Sequence, residues 1–151
     1  MTKKLFYSHE MMLGDLAKIH RELHKNGIVP DVVYGITRGG LIPAVHSSHY
    51  FGVPMETVKV STYDGSEYGD CSSLVNDLRG GKMVLLVDDI CDTGNTLKYI
   101  ASQVDSFNLD NLVVVTLIHN QGQNNFIPDY YGLEINKVEE PCWVVFPWEQ
   151  D

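Results

Sequence analysis

The sequence predicts an α/β fold with a mostly parallel central sheet flanked by helices. Segments of strand character alternate with segments of helical character along the chain, a pattern typical of parallel sheets. Two apolar runs, "MVLLV" at 83–87 and "LVVVTLI" at 112–118, show no alternation of polar and apolar residues, which indicates strands covered on both faces. Because 151 residues is about the length of one domain, we treat residues 1–151 as a single domain.

The first half of the chain contains two predicted helices and two predicted strands. Apolar residues recur at helical spacing within 9–27, where Ser8 can cap the start and Gly27 can end the helix. The later elements are a strand at 31–36, a helix at 40–52 and a strand at 55–63. Pro43 is tolerable only in the first turn of the second helix.

The second half continues the alternation. Residues 64–82 are polar and contain four glycines, so we expect a long loop. A strand at 83–88, a helix at 95–107 and a strand at 111–118 follow. The remaining segment, 119–151, is predicted to be irregular apart from the apolar stretch "CWVVF" at 142–146.

Composition excludes several kinds of partner. A net charge of −9 repels phosphate backbones, so no nucleic acid is expected. The three cysteines form no CxxC pair and leave an odd thiol, which favours a reducing, cytoplasmic setting over a disulfide framework or zinc site. The N-terminus lacks the apolar core of a signal peptide, and no apolar run approaches the roughly 20 residues that span a bilayer, so no membrane is expected.

Polar residues follow the predicted strands where ligands bind in parallel sheets. Asp88 and Asp89 end one strand, and residues 93–96, "TGNT", open the next helix. Taken alone, the aspartates are about equally well explained as an ordinary helix cap. Backbone N–H groups and hydroxyls at 93–96 would also form a phosphate cradle, and paired carboxylates suit a cation or a diol. The combination indicates a site for a phosphorylated ribose.

These residues resemble a known family. "VLLVDDICDTGNT" at 84–96 resembles the phosphoribosyl-pyrophosphate (PRPP) motif of type I phosphoribosyltransferases. "TRGG" at 37–40 resembles the family's pyrophosphate loop, and "STYDG" at 61–65 begins what resembles its flexible catalytic loop. "CWVVFPWE" at 142–149 is similar to the C-terminal base-binding segment of the xanthine–guanine group. The resemblance spans roughly 6–149 and implies that fold, with a flexible catalytic loop and a short C-terminal base-binding hood.

The resemblance implies roles for the residues around PRPP. Asp88 and Asp89 would hold the ribose hydroxyls, Asp89 would also help to hold Mg²⁺, and Asp92 would act as acid/base near purine N7. The 5′-phosphate would bind Thr93, Gly94, Asn95 and Thr96. Arg38 and Gly39 would face the pyrophosphate, and the pattern is compatible with a cis peptide bond between Thr37 and Arg38.

On the base side, Trp143 would stack on the purine and the Val144 carbonyl would accept its exocyclic amine. Glu149 stands where the group has an acidic residue near the site. Members usually carry a lysine after the fourth strand that contacts the purine 6-oxygen, but the matching residue here is Asn120, a donor without charge. We therefore expect guanine and hypoxanthine as the better substrates, xanthine as a weaker one and adenine as the weakest.

The implied activity is transfer of the phosphoribosyl group of PRPP to a 6-oxopurine, with Mg²⁺, in a homo-dimer or homo-tetramer. One alternative is a PRPP-binding regulator of the same fold with little catalysis, although such proteins usually add a nucleic-acid-binding surface. A second is a signalling receiver domain, because "LLVDDI" also resembles its acidic strand end. The next strand, however, ends in "TLIHN" without the aspartate that a receiver needs.

Overall fold

The computed structural model describes residues 2–123 and 125–149. The strands are β1 (Lys3–Phe6), β2 (Val32–Ile36), β3 (Met55–Val58), β4 (Val60–Tyr63), β5 (Ser66–Gly69), β6 (Val84–Cys91), β7 (Leu112–Asn120), β8 (Tyr130–Ile135) and β9 (Cys142–Val145). The helices are α1 (His9–Lys25), α2 (Leu41–Phe51), α3 (Ser72–Arg79) and α4 (Asn95–Ser102), with a 3-10 helix at Ser106–Asn111. Within this part of the chain, no helix is long and apolar enough to cross a membrane.

The central sheet has five strands in the order β3-β2-β6-β7-β8, and every neighbouring pair is parallel. Side chains of α1 and α2 pack on one face, and side chains of α3 and α4 pack on the other. All nine residues of β7 are buried, as the unbroken apolar run predicts. The predicted α/β class is confirmed.

The predicted ends of the first two helices are confirmed. The Ser8 hydroxyl accepts a hydrogen bond from the Met11 N–H at 3.0 Å and so caps α1. Gly27 follows α1 with a φ of 72°, and Gly52 follows α2 with a φ of 65°, a left-handed conformation in which glycine ends helices without strain.

The predictions for 55–82 were wrong in two respects. The single strand at 55–63 is divided into β3 and β4, and only β3 joins the central sheet. The predicted loop contains β5, which pairs with β4 as a hairpin, and α3. The hairpin turns at Asp64 and Gly65, whose φ angles of 51° and 76° suit a two-residue turn. The buried residues of α3 have helical spacing that the polar composition obscured; they are Leu74, Val75 and Leu78.

The prediction for 119–151 was also wrong. β8 extends the central sheet, and β9 pairs with β1 in a separate two-stranded parallel sheet. β8 is an edge strand, so its residues are only partly buried and its sequence gives a weak strand pattern. The predicted helix at 95–107 ends at Ser102 and is followed by the 3-10 helix.

The β1–β9 sheet lies beside the carboxyl ends of the central strands. Tyr7, which follows β1, packs edge-on against Phe146 with ring centroids 5.4 Å apart, and Phe146 stacks on Trp148 at 5.1 Å. These rings belong to a core cluster that also includes Leu117 and Ile118 of β7. The packing holds the C-terminal segment against the end of the sheet where the polar residues are gathered.

Candidate active site

The loop after β2 lies against the end of β6. The Thr37–Arg38 peptide bond is cis, and Arg38 is exposed. A Cβ atom on Gly39 would overlap the Asp89 carboxylate, and one on Gly40 would overlap the Val87 carbonyl oxygen. Glycine at both positions therefore lets the backbone of this loop lie directly beside the carboxylate.

Asp88 and Asp89 carry adjacent carboxylates in an environment that opposes their ionisation. The Asp89 N–H donates to Asp88 Oδ1 at 2.9 Å, and the Ile90 N–H donates to Asp89 Oδ1 at 2.7 Å. Burial raises the pKa of Asp88, and the charge of Asp89 raises it further. Burial also raises the pKa of Asp89, and hydrogen bonds with the Asp88 side chain and the Ile90 N–H oppose this effect. Hydroxyl donors or a cation at this position would relieve the unfavourable charge.

The two carboxylates face different spaces. Asp88 lines a small cavity of about 80 Å³ together with Asp92, Thr93, Gly94 and Thr96. Asp89 lines a larger cavity of about 790 Å³ that also contacts Arg38, Trp143, Trp148 and Glu149. The small cavity thus lies at the predicted phosphate turn and at Asp92, whereas the large one is bordered by Trp143 and Glu149.

The turn at 93–96 has the geometry of an anion cradle. Gly94 adopts a φ of 83° immediately before α4, and the Thr93 hydroxyl accepts the Asn95 N–H at 3.2 Å. A Cβ atom on Gly94 would meet the Phe126 nitrogen at 2.8 Å, so the close packing also requires glycine. The first backbone N–H groups of a helix have no intrahelical acceptor, so the start of α4 is suited to an oxyanion.

The segment around Asn125 braces this turn, which the sequence did not indicate. Asn125 Nδ2 donates to the Thr93 carbonyl at 2.9 Å and to Asn95 Oδ1 at 3.2 Å. The Cys91 thiol donates to the Phe126 carbonyl at 3.4 Å. These residues lie some thirty positions beyond the motif, and no local pattern marks them.

Trp143 and Glu149 border the large cavity. Trp143 on β9 is 59% exposed, which leaves much of its ring accessible to a ligand, whereas the neighbouring Val144 is buried. Burial raises the pKa of Glu149, and the charge of Asp89 raises it further. The structure thus brings Asp89 to one cavity with Trp143 and Glu149, although Asp89 is far from both in sequence.

Asn120 is buried at the end of β7, and protein groups occupy both ends of its amide. Nδ2 donates to Asp92 Oδ1 at 3.1 Å and approaches the Asp92 carbonyl at 3.4 Å. Oδ1 accepts the backbone N–H groups of Gly122 at 3.2 Å and Lys137 at 3.0 Å. Asn120 therefore fixes the position of Asp92 and of the backbone at Lys137.

Lys137, between β8 and β9, was not singled out in the sequence. Its Nζ donates to Asp92 Oδ2 at 3.0 Å and lies 5.9 Å from the centroid of the Trp143 ring. Its side chain is 19% exposed, less than half the exposed fraction of Asp92, which is 42%. The residue lies outside every motif, and its neighbours in "INKVEEP" give no sign of a site.

The predicted catalytic loop begins as the β4–β5 hairpin. The Tyr99 hydroxyl on α4 accepts the Gly69 N–H at 3.2 Å and donates to the Gly69 carbonyl at 3.0 Å. Tyr63 and Tyr68 on the hairpin are exposed. One tyrosine thus links the base of the hairpin to the helix that opens with the phosphate turn.

The donor set at Asp88 and Asp89 fits Mg²⁺. Among residues 2–123 and 125–149, no group of three or more His, Cys, Asp or Glu side chains could by itself hold a metal ion. Mg²⁺ prefers oxygen ligands and is commonly held by one or two carboxylates together with substrate phosphates. Asp89, beside the loop that contains Arg38, satisfies that requirement.

Comparisons with known proteins agree on one family. A model of the phosphoribosyl transferase domain matches residues 4–150. The chain is 28% identical to the xanthine-guanine phosphoribosyltransferase of Idiomarina loihiensis, covering 98% of this chain and 88% of that protein.

Solved structures show the same similarity. The purine phosphoribosyltransferase from Pyrococcus horikoshii superposes with a TM-score of 0.75 at 29% identity, covering 98% of this chain and 95% of that chain. The xanthine-guanine-hypoxanthine phosphoribosyltransferase of Helicobacter pylori superposes with a TM-score of 0.77 at 16% identity, which shows the shared fold.

Proposed function

Because the chain belongs to the phosphoribosyl transferase domain family, we propose that it transfers the phosphoribosyl group of PRPP to a 6-oxopurine. The products are a nucleoside 5′-monophosphate and pyrophosphate. The observation that carries the proposal is the pair Asp88–Asp89 between two cavities, one at the phosphate turn and one bordered by Trp143. The named relatives that act on xanthine, guanine or other purines support the choice of base.

The phosphate and ribose would bind to consecutive residues. The 5′-phosphate accepts hydrogen bonds from the backbone N–H groups and hydroxyls of Thr93, Gly94, Asn95 and Thr96. Asp88 and Asp89 accept hydrogen bonds from the ribose hydroxyls, which supply the donors that these carboxylates need. Ribose C1 is thereby fixed between the phosphate turn and the base.

The pyrophosphate would bind to the loop at 37–40. The Arg38 guanidinium offers charge-assisted hydrogen bonds, and Gly39 allows the backbone to approach closely. Mg²⁺, held by Asp89 and the pyrophosphate oxygens, would neutralise charge on the leaving group. The local positive charge offsets the repulsion between a chain of net charge −9 and an anionic substrate.

The purine would lie against Trp143 in the large cavity. Stacking orients the ring, and the Val144 carbonyl accepts the 2-amino group of guanine. Asp92, near purine N7, takes up or returns a proton as the new bond forms. Glu149 borders the same space and completes the acidic rim.

The proposal also includes closure of a loop over the substrates and assembly of the chain into an oligomer. The β4–β5 hairpin and the residues up to 80 would close over the bound substrates and exclude water, which would otherwise capture the cationic ribose. We propose a cytoplasmic homo-dimer or homo-tetramer. The cysteines are unpaired, which suits a reducing compartment.

The test is a parallel assay of pyrophosphate release from PRPP with guanine, hypoxanthine, xanthine and adenine. We expect turnover with 6-oxopurines, little with adenine, and loss of turnover when divalent metal is chelated. Adenine presents a donor at ring position 6 and lacks the 2-amino group, so it should bind poorly. PRPP binding without pyrophosphate release for any base would instead support the regulatory alternative.

A further inference from the structure

We infer that Lys137 supplies the positive charge that recognises the 6-oxo group of the purine, and that Asn120 positions it. The inference rests on the proposed function and identifies how its base specificity arises. It assigns the contact to the segment between β8 and β9, and not to the end of β7, where the sequence led us to expect it.

The first argument is geometric. The ammonium of Lys137 lies 3.0 Å from Asp92 Oδ2 and 5.9 Å from the centroid of the Trp143 ring. In a purine, the 6-substituent projects from the carbon next to the one that bears N7. A base that stacks on Trp143 with N7 at Asp92 therefore places its 6-oxygen beside this ammonium. An ammonium carries three donors, so the bond to Asp92 leaves protons to donate to that oxygen.

The second argument is burial. The Lys137 side chain is 19% exposed, whereas the side chains of Lys3 and Lys82, which also form ion pairs, are 66% and 54% exposed. Ordering and desolvating a lysine is costly, and an ion pair with a half-exposed carboxylate contributes little to stability. An additional acceptor from a ligand explains why this lysine is held in the interior of the site.

The third argument is that both ends of the Asn120 amide already have protein partners. Its Oδ1 accepts the backbone N–H of Lys137 at 3.0 Å, and its Nδ2 donates to Asp92 Oδ1 at 3.1 Å. The amide thus holds the two ends of the Lys137–Asp92 ion pair and has no donor directed at a base. A cation at ring position 6 also suits xanthine, whose ring is partly anionic near neutral pH. Xanthine should therefore be used better than an uncharged Asn120 alone would allow.

The experiment compares guanine with 2-aminopurine, which differs from guanine by lacking the 6-oxo group. Lys137→Met and Lys137→Gln remove the charge, and Lys3→Met is the matched control because Lys3 pairs with Glu140 on the same segment at 2.8 Å. For each protein, kcat/KM is measured with guanine, the inhibition constant is measured for 2-aminopurine against guanine, and thermal unfolding is recorded.

Both Lys137 variants should lose about 10- to 100-fold in kcat/KM for guanine, the range expected when a charged hydrogen bond is removed. The inhibition constant of 2-aminopurine should change by less than about threefold, and Lys3→Met should match the wild type. Equal losses for both purines, unchanged guanine use, or a loss for guanine confined to kcat with KM unchanged would overturn the inference, since Lys137 would then act only on Asp92 or on the fold. Absence of pyrophosphate release by the wild type with any base would refute the proposed function itself.

Discussion

The proposed site has two sides, and the two sides differ in how widely their residues are spread along the chain. The PRPP side consists of residues 88–96 and the loop at 37–40, two short segments at the ends of neighbouring strands. The base side consists of Asn120, Lys137 and residues 143–149, which depend on β1, β7, β8 and β9 for their placement. The geometry of the PRPP side therefore depends on fewer segments of the chain than the geometry of the base side.

The electrostatics of the two sides also differ. On the PRPP side, burial raises the pKa values of Asp88 and Asp89, and the charge of Asp89 raises that of Asp88 further. On the base side, Asp92 already has a cationic partner in Lys137. We therefore propose that one side binds a cation and hydroxyls that arrive with the substrate, whereas the other side has its own cation in Lys137.

Asp92 joins the two sides, so its removal should have the largest effect. Asp92→Asn should lower kcat by roughly 10² to 10⁴, the usual range for a general acid/base, and should change PRPP affinity little. Steady-state kinetics and PRPP titration measure both quantities. Asp105→Asn is the control, since Asp105 pairs with Arg79 on the surface. A wild-type kcat in Asp92→Asn would remove Asp92 from the mechanism.

A substitution of Trp143 tests whether purine binding can be weakened while PRPP binding stays unchanged. Trp143→Leu should weaken binding of every purine by about 1 to 3 kcal/mol, the usual contribution of base–aromatic stacking. KM for the bases should rise by the corresponding factor while PRPP affinity stays constant. Phe107→Leu, which alters another exposed aromatic ring, should leave both unchanged. A similar loss of PRPP affinity would show that the two sides are not independent.

The smallest predicted effect is a change in the stability of the folded protein when Asp88, on the PRPP side, is substituted. An aspartate in the unfolded chain titrates near pH 3.9, whereas the pKa of Asp88 is raised in the folded protein. As pH rises above about 4, the unfolded state loses its proton first, so this group lowers the stability of the folded state until its own pKa is passed. Asp88→Asn removes that effect and should stabilise the ligand-free protein by about 1 to 2 kcal/mol near pH 7.

Urea unfolding of both proteins between pH 4 and pH 8, without PRPP or metal, measures this difference. The gain in the free energy of unfolding should be small near pH 4 and grow as the pH rises. The same variant should lose activity because a ribose contact is removed. A gain that is constant across this pH range would show that the carboxylate charge is not its cause.

The sequence predicted the parts of the molecule that are determined by neighbouring residues. The strands that became β2, β6 and β7 are fully or largely apolar, and α1 has clear end signals at Ser8 and Gly27. The elements that were missed are short or lie at edges, where tertiary pairing decides the structure. β9 pairs with β1, and β8 pairs only with β7 in the described part of the chain.

The same distinction applies to the site. Residues 88–96 form a continuous motif, so their proximity could be inferred directly. Asn120 was matched to the expected lysine position by following the family's pattern without gaps, and such a match does not include Lys137, which lies on another segment. The contact between Asp92 and Lys137 joins residues 45 positions apart, and no periodic pattern encodes it.

The β1–β9 pairing has a consequence for the order in which the protein assembles. Lys3 aligns with Cys142 and Leu5 aligns with Val144, so β1 meets the strand that carries Trp143 only after all the residues between them have been synthesised. β2 and β6, which carry the PRPP side, are released earlier and can pair first. A nascent chain would therefore pass through a stage in which the sugar–phosphate half is in place while the nucleobase half is still being made.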